Sequence, residues 1–136
     1  AAILRRKLPH IERFNAERRR VAARYAERLA DLPLELPPLE PPEGHPAATS
    51  VFHQYTLLAD DREAITSALG AENIASAIYY PVPLHRQEAI AAHLERAASC
   101  PVAERCSERC LSLPIYPELE DATIDRIADT VRRAIG

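Results

Sequence analysis

The segment IYYPVPLHRQ, residues 78–87, gathers two tyrosines, a histidine, an arginine and a glutamine around two prolines. Phenols and a carboxamide can hydrogen-bond or stack on a polar ligand, and an imidazole can hold a proton near neutrality. The prolines lower the entropy lost in holding those side chains still, and a loop at a strand end is where a rigid scaffold presents functional groups. The plain alternative is a surface loop with half-buried amphipathic tyrosines and a solvated histidine. His53 lies in an apolar, strand-like run, where a hydrogen-bonded core histidine is the commoner outcome. His10 falls at the second position of a helix, His45 in a proline-rich connector and His93 on a weakly patterned helix, and no two histidines have metal-ligand spacing.

Other chemistries find little to work with. Cys100, Cys106 and Cys110 form an odd, clustered set that resembles no disulfide framework, which fits a reducing compartment. Their C-x5-C-x3-C spacing matches no common zinc motif, so packing as small hydrophobes is the favoured reading. Only three glycines occur, Gly44, Gly70 and Gly136, and none builds a phosphate-cradling loop. No serine stands in a G-x-S-x-G turn. Lys7 is the sole lysine, so any Schiff-base chemistry within these residues would fall to a side chain set between Arg6 and Leu8 on a helix.

The elements that must position these residues follow from hydrophobic spacing. Apolar residues from Ile3 to Leu32 recur every three or four, with Pro9 dividing a short helix ending near Leu8 from a long one over 9–30. Glu12, Arg13, Glu17, Arg19, Arg20, Glu27 and Arg28 mark the long helix's solvated face. Prolines crowd residues 33–46, predicting an extended connector. A strand is expected over 50–59, with Val51, His53, Tyr55 and Leu57 on one side. A helix capped by Asp60 and Asp61 should follow to Leu69, with Gly70 ending it. Further strands are predicted over 74–79 and 111–114, and helices over 87–97, 100–110 and a last one bearing Ile124, Ile127, Ala128, Val131 and Ile135 on one stripe. The fold class is α/β with an α+β small domain, a small sheet layered against helices.

Composition bounds the whole. With 136 residues, 47% hydrophobic and 27% charged, the chain fits one soluble globular domain. No apolar run approaches the roughly 20 residues a bilayer needs, and a formal charge of −3 argues against a nucleic-acid surface. The expectation is a cytoplasmic protein with neither membrane nor nucleic acid as partner.

Taken in order, AAILRRKLPHIERFNAERRRVAARY, HQYTLL, IYYPVPLHRQ and CPVAERCSERCLSLPIYPEL resemble the C-terminal part of the DegT/DnrJ/EryC1/StrS family of sugar aminotransferases, over essentially the whole chain. The resemblance implies a pyridoxal-phosphate enzyme of fold type I that moves an amino group from glutamate or another amino acid to a keto-sugar, usually nucleotide-linked, and works as a homodimer. It places residues 1–32 as a helical arm leading from a large domain, 33–49 as the connector and 50–136 as the small domain, with a mainly antiparallel sheet. The cofactor lysine belongs to the large domain, so these residues alone should bind no cofactor and should not transaminate. Carried over position by position, Tyr79, Tyr80, His85 and Gln87 are implied substrate contacts at the mouth of the site, often in the neighbouring subunit's site. Tyr79 departs from the histidine that many members have there. Two alternatives stay open: a stand-alone interaction module that associates through Leu4, Leu8, Ile11 and Phe14, and the branch that uses the same scaffold for sugar dehydration.

Overall fold

The computed structural model describes residues 1–41, 43, 50–91, 93 and 99–136. His45 and part of the connector lie outside them, as do residues 92 and 94–97 of the helix expected over 87–97, of which Glu88–Ala91 (α4) is described. Helix α1 (Ala2–Lys7) runs through a 3-10 turn carrying Pro9 into α2 (Ile11–Leu29). Proline there costs little, because the first residues of a helical turn have no intrahelical acceptor for an N–H.

Strand β1 (Tyr55–Leu58) pairs antiparallel with β2 (Cys110–Leu113), setting Tyr55 opposite Leu113 and Leu57 opposite Leu111. Tyr55, Leu57, Leu111 and Leu113 are buried in one core with Val21, Tyr25 and Leu29 of α2, Ile65 and Leu69 of α3 (Arg62–Ala71) and Ile124, Ile127 and Val131 of α6 (Asp121–Ile135). The opposite face of the sheet carries Thr56, Leu58, Cys110 and Ser112, where the Thr56 and Ser112 hydroxyls pair at 2.7 Å. The sheet thus has a core face and a second face left for the 78–87 loop and α5 (Pro101–Arg109). The apolar stripe predicted for the last helix is the one α6 buries, with Ile135 at its half-buried end.

Several expectations need correction. The strand expected from residue 50 begins at Tyr55, because Phe52 takes a left-handed φ of 45° and turns its ring into the core. That reversal resets the alternation and leaves Val51 and His53 exposed. The strand expected over 74–79 is one bridge, Ala77 to Ser112. Extending it would pair residue 75 with Pro114, which has no N–H, and residue 79 with Cys110, whose N–H already caps α5 on the Cys106 carbonyl. Part of the predicted connector joins the opposite edge, where Glu35 bridges Leu58.

Helix α3 begins as expected, with the Asp61 side chain accepting from the Ala64 N–H at 3.2 Å, but it runs through Gly70. Asn73, at φ 56°, takes the left-handed position, and the Asn73 and Ile74 N–H groups return to the Gly70 and Leu69 carbonyls. This is a Schellman ending sealed by buried Ile74. The charged face of α2 is not simply solvated either: Arg20, Arg24 and Arg28 pair across to Asp121, Asp125 and Asp129 of α6.

Candidate functional site

Beyond Ala77 the chain leaves the sheet edge and bends at Tyr79, Pro81 and Val82 before a 3-10 turn over Leu84–Arg86. Tyr79 and Tyr80 are exposed by 45% and 69%, with ring centroids 5.7 Å apart in an edge-to-face arrangement. Large aromatic surface left in water at that level is available for stacking on a ligand. Tyr79, Tyr80 and Gln87 line a cavity of about 670 Å³ whose floor is Thr56, Leu58 and Cys110 of the sheet and whose far wall is Ala103, Cys106 and Ser107 of α5. Mostly apolar walls with a few convergent hydroxyls and one carboxamide are the make-up of a small-molecule site.

Tyr79 also borders a second cavity, of about 450 Å³, lined by His53, Gln54, Ser76 and Ser112. His53 is therefore not the core histidine its apolar neighbours suggested: it is exposed beside Tyr79. The turn at Phe52 puts it there, and no local pattern in the sequence encodes that turn.

His85 faces the other way. Its side chain is 12% exposed and lines neither cavity; Nε2 lies 2.9 Å from Glu104 Oε1 on α5. Arg86 reaches the other carboxylate oxygen at 2.8 Å, and the Cys100 N–H is 3.4 Å from Oε1. His85 foremost, then the Cys100 N–H and Arg86, hold the Glu104 carboxyl below its ordinary range against the opposing effect of burial. An ionised carboxylate only accepts, so the His85 proton facing it sits on Nε2. Of the four sequence-predicted residues, the structure brings Tyr79, Tyr80 and Gln87 to one cavity and places His85 behind them. Glu104 was missed, since an acid in the first turn of a helix is ordinarily read as a partner of the helix dipole.

The cysteines divide: Cys110 is buried, Cys106 half-buried on the cavity wall and Cys100 exposed, against the packing expected of all three. A pyridoxal-phosphate site needs a lysine amine beside its cavity, and the sole lysine of the chain supplies none at this loop. Lys7 is exposed on α1 and borders neither cavity beside the 78–87 loop. Among the described residues no helix is long and apolar enough to cross a membrane.

Comparison with known proteins, by sequence and by overall fold, places the chain in a family. The model of the DegT/DnrJ/EryC1/StrS aminotransferase family matches residues 1–132. The chain is 48% identical over 135 residues to a UDP-N-acetyl-3-dehydro-α-D-glucosamine 3-aminotransferase of Acidithiobacillus ferrooxidans, covering 99% of this chain and 35% of that protein. It superposes on S. venezuelae DesV, solved in complex with a ketimine intermediate, with TM-score 0.87 and 36% identity over 97% of this chain and 34% of that one. A DegT DnrJ EryC1 StrS aminotransferase from Brucella abortus gives TM-score 0.86 and 38% identity over 99% of this chain and 35% of that one. The chain spans about a third of the length of these relatives. With a match that runs through nearly every residue and a fold that superposes on solved members, the chain belongs to the DegT/DnrJ/EryC1/StrS aminotransferase family.

Proposed function

We propose that this chain is the C-terminal small domain of a pyridoxal-phosphate-dependent aminotransferase that moves an amino group from an amino acid, glutamate first among them, to a nucleotide-linked keto-sugar. The carrying observation is the cavity under the 78–87 loop, lined by Tyr79, Tyr80 and Gln87, in a chain whose 48% identical relative is named for a UDP-linked keto-sugar. In this reading the tyrosines stack on or hydrogen-bond to the sugar nucleotide and the Gln87 carboxamide fixes its orientation. His85 serves the group from behind, through the turn it anchors on Glu104.

In this reading the cofactor lysine and the amino-transfer step belong to residues outside this chain, in keeping with a sole lysine, Lys7, that stands exposed on α1 and borders neither cavity of the 78–87 loop. Its part is to recognise substrate and to pack against the rest of a homodimeric enzyme, in the cytoplasm.

The first experiment reads the coding DNA upstream of Ala1. An in-frame extension of roughly 200 residues or more, the size of a further domain, with a cofactor lysine supports the reading. A histidine at that lysine turns it toward sugar dehydration, and an immediate start codon overturns it in favour of a non-catalytic module. In parallel, this chain mixed with pyridoxal phosphate, reduced with borohydride and weighed intact should show no stoichiometric adduct. One full equivalent on Lys7 would contradict the assignment of cofactor binding to other residues.

A further inference from the structure

We infer that Glu104 is a positioning residue: by accepting from His85 and Arg86 together, its carboxylate fixes the 78–87 loop above the cavity that Tyr79, Tyr80 and Gln87 line. This rests on the proposed reading of that loop as substrate-facing. Among the described residues, each side-chain hydrogen bond or ion pair from residues 78–91 to another part of the chain ends on Glu104. Backbone bonds over 84–93 are local to the segment, such as Arg86 N–H to the Pro83 carbonyl at 2.9 Å. Two prolines and a single bridge at Ala77 leave the loop no ladder by which to hold its place.

The anchor itself is firm. The Glu104 carbonyl accepts from the Ser107 hydroxyl at 2.8 Å, and the Ser107 carbonyl accepts from Arg62 of α3 at 2.8 Å. Glu104 is thereby tied through α5 and α3 to the main core, while its carboxylate lies largely shielded at 20% exposure. Charge-assisted bonds to two consecutive side chains of one turn restrain its rotation as well as its distance. Tyr80 and Gln87 lie on either side of that turn, so losing the clamp shifts both cavity-lining groups together.

The test uses the complete enzyme carrying this domain, with UDP-N-acetyl-3-dehydro-α-D-glucosamine as sugar probe and glutamate as amino donor. Glu104→Ala, Glu104→Gln and Tyr80→Ala are compared with wild type in steady-state kinetics, in melting temperature and in the rate of trypsin cleavage after Arg86. Loss of the clamp should raise the sugar KM roughly tenfold, as small misplacements of binding groups do. The glutamate KM should stay unchanged and cleavage after Arg86 should quicken several-fold in both Glu104 variants. The isosteric Glu104→Gln keeps the test valid if the alanine variant folds poorly.

Unchanged sugar KM and unchanged cleavage in a stable Glu104 variant overturn the inference, and so does a uniform loss across both KM values and kcat alongside a lowered melting temperature. If Tyr80→Ala raises the sugar KM while the Glu104 variants do not, the substrate-facing reading stands and the positioning role falls. If cleavage quickens but neither residue affects the sugar KM, the loop is clamped yet does not face substrate, and both fail. If wild type does not turn over the probe, the cleavage rate alone decides whether Glu104 holds the loop.

Discussion

Tyr25 and Tyr55 pack in the core with ring centroids 5.0 Å apart and planes tilted by 36°, yet their hydroxyls meet different fates. Tyr25 Oη donates to the Pro114 carbonyl at 3.0 Å, tying α2 to the end of β2, whereas Tyr55 Oη is buried with no protein partner among the described residues. Burial pushes both phenols above their ordinary range, helped in Tyr25 by the neighbouring Tyr55 and Tyr116. An ordinary hydrogen bond contributes about 1 kcal/mol net, and an unpaired buried hydroxyl carries a desolvation cost instead. Tyr25→Phe should therefore lower stability by about 1 kcal/mol, while Tyr55→Phe should leave it level or slightly raised. Urea denaturation of the two variants checks this, and a larger loss in Tyr55→Phe would show that its hydroxyl is satisfied in solution.

At the scale of elements, α2 and α6 run side by side in register: Arg20, Arg24 and Arg28 meet Asp121, Asp125 and Asp129, and Arg132 returns to Asp31. Both rows repeat every four residues, so each helix presents one charged edge above the apolar seam of Val21, Tyr25, Ile124 and Val131. Arg24 is bidentate to Asp125 at 2.9 and 2.6 Å, and Arg132 to Asp31 at 2.7 Å on both oxygens. The Arg132 hydrogen bonds are the main cause holding the Asp31 carboxyl down to about 2. A carboxyl depressed in the folded state stabilises above its unfolded value of about 3.9, and the contribution is lost as pH falls through the folded value. Asp31→Asn should thus narrow the gap to wild type as pH drops from about 4 toward 2. Thermal melts across that range test it; a gap that holds constant would mean the pair does not form. Exposure to solvent keeps the effect small and makes it shrink in high salt.

For the whole molecule, the informative surface is the arm. Ile3, Leu4 and Leu8 are 74%, 71% and 67% exposed, with Ile11 behind them, a contiguous apolar stripe of the sort that marks an interface. Under the proposed function the rest of the enzyme covers it; alone, the chain should associate with itself through it. Sedimentation of the 136-residue chain should show concentration-dependent association, abolished by Leu4→Glu with Leu8→Glu. A monomer at every concentration, or association untouched by the double substitution, would rule the stripe out as the cause. The substitutions should not disturb the core, since neither α1 nor the 3-10 turn that carries Leu8 contributes a buried residue to it.

The sequence by itself settled what depends on neighbours along the chain: the long amphipathic helices, the Asp61 cap, the proline that opens α5 and the ordered blocks that mark the family. It also singled out the loop whose Tyr79, Tyr80 and Gln87 share a cavity, because prolines and polar aromatics in so short a run are a local signal. Tertiary structure decided what depends on who is already paired. The strand expected over 74–79 shrank to one bridge because its partner strand had committed one N–H to a helix cap and lacked another at Pro114. The αL position after α3 fell to Asn73 instead of Gly70, where packing of Ile74 on the core fixed the register of the turn. His85 met Glu104 across nineteen residues, and Arg24 met Asp125 across 101. Such contacts are set by which faces the core leaves outward, and that is decided only when the helices and the sheet pack.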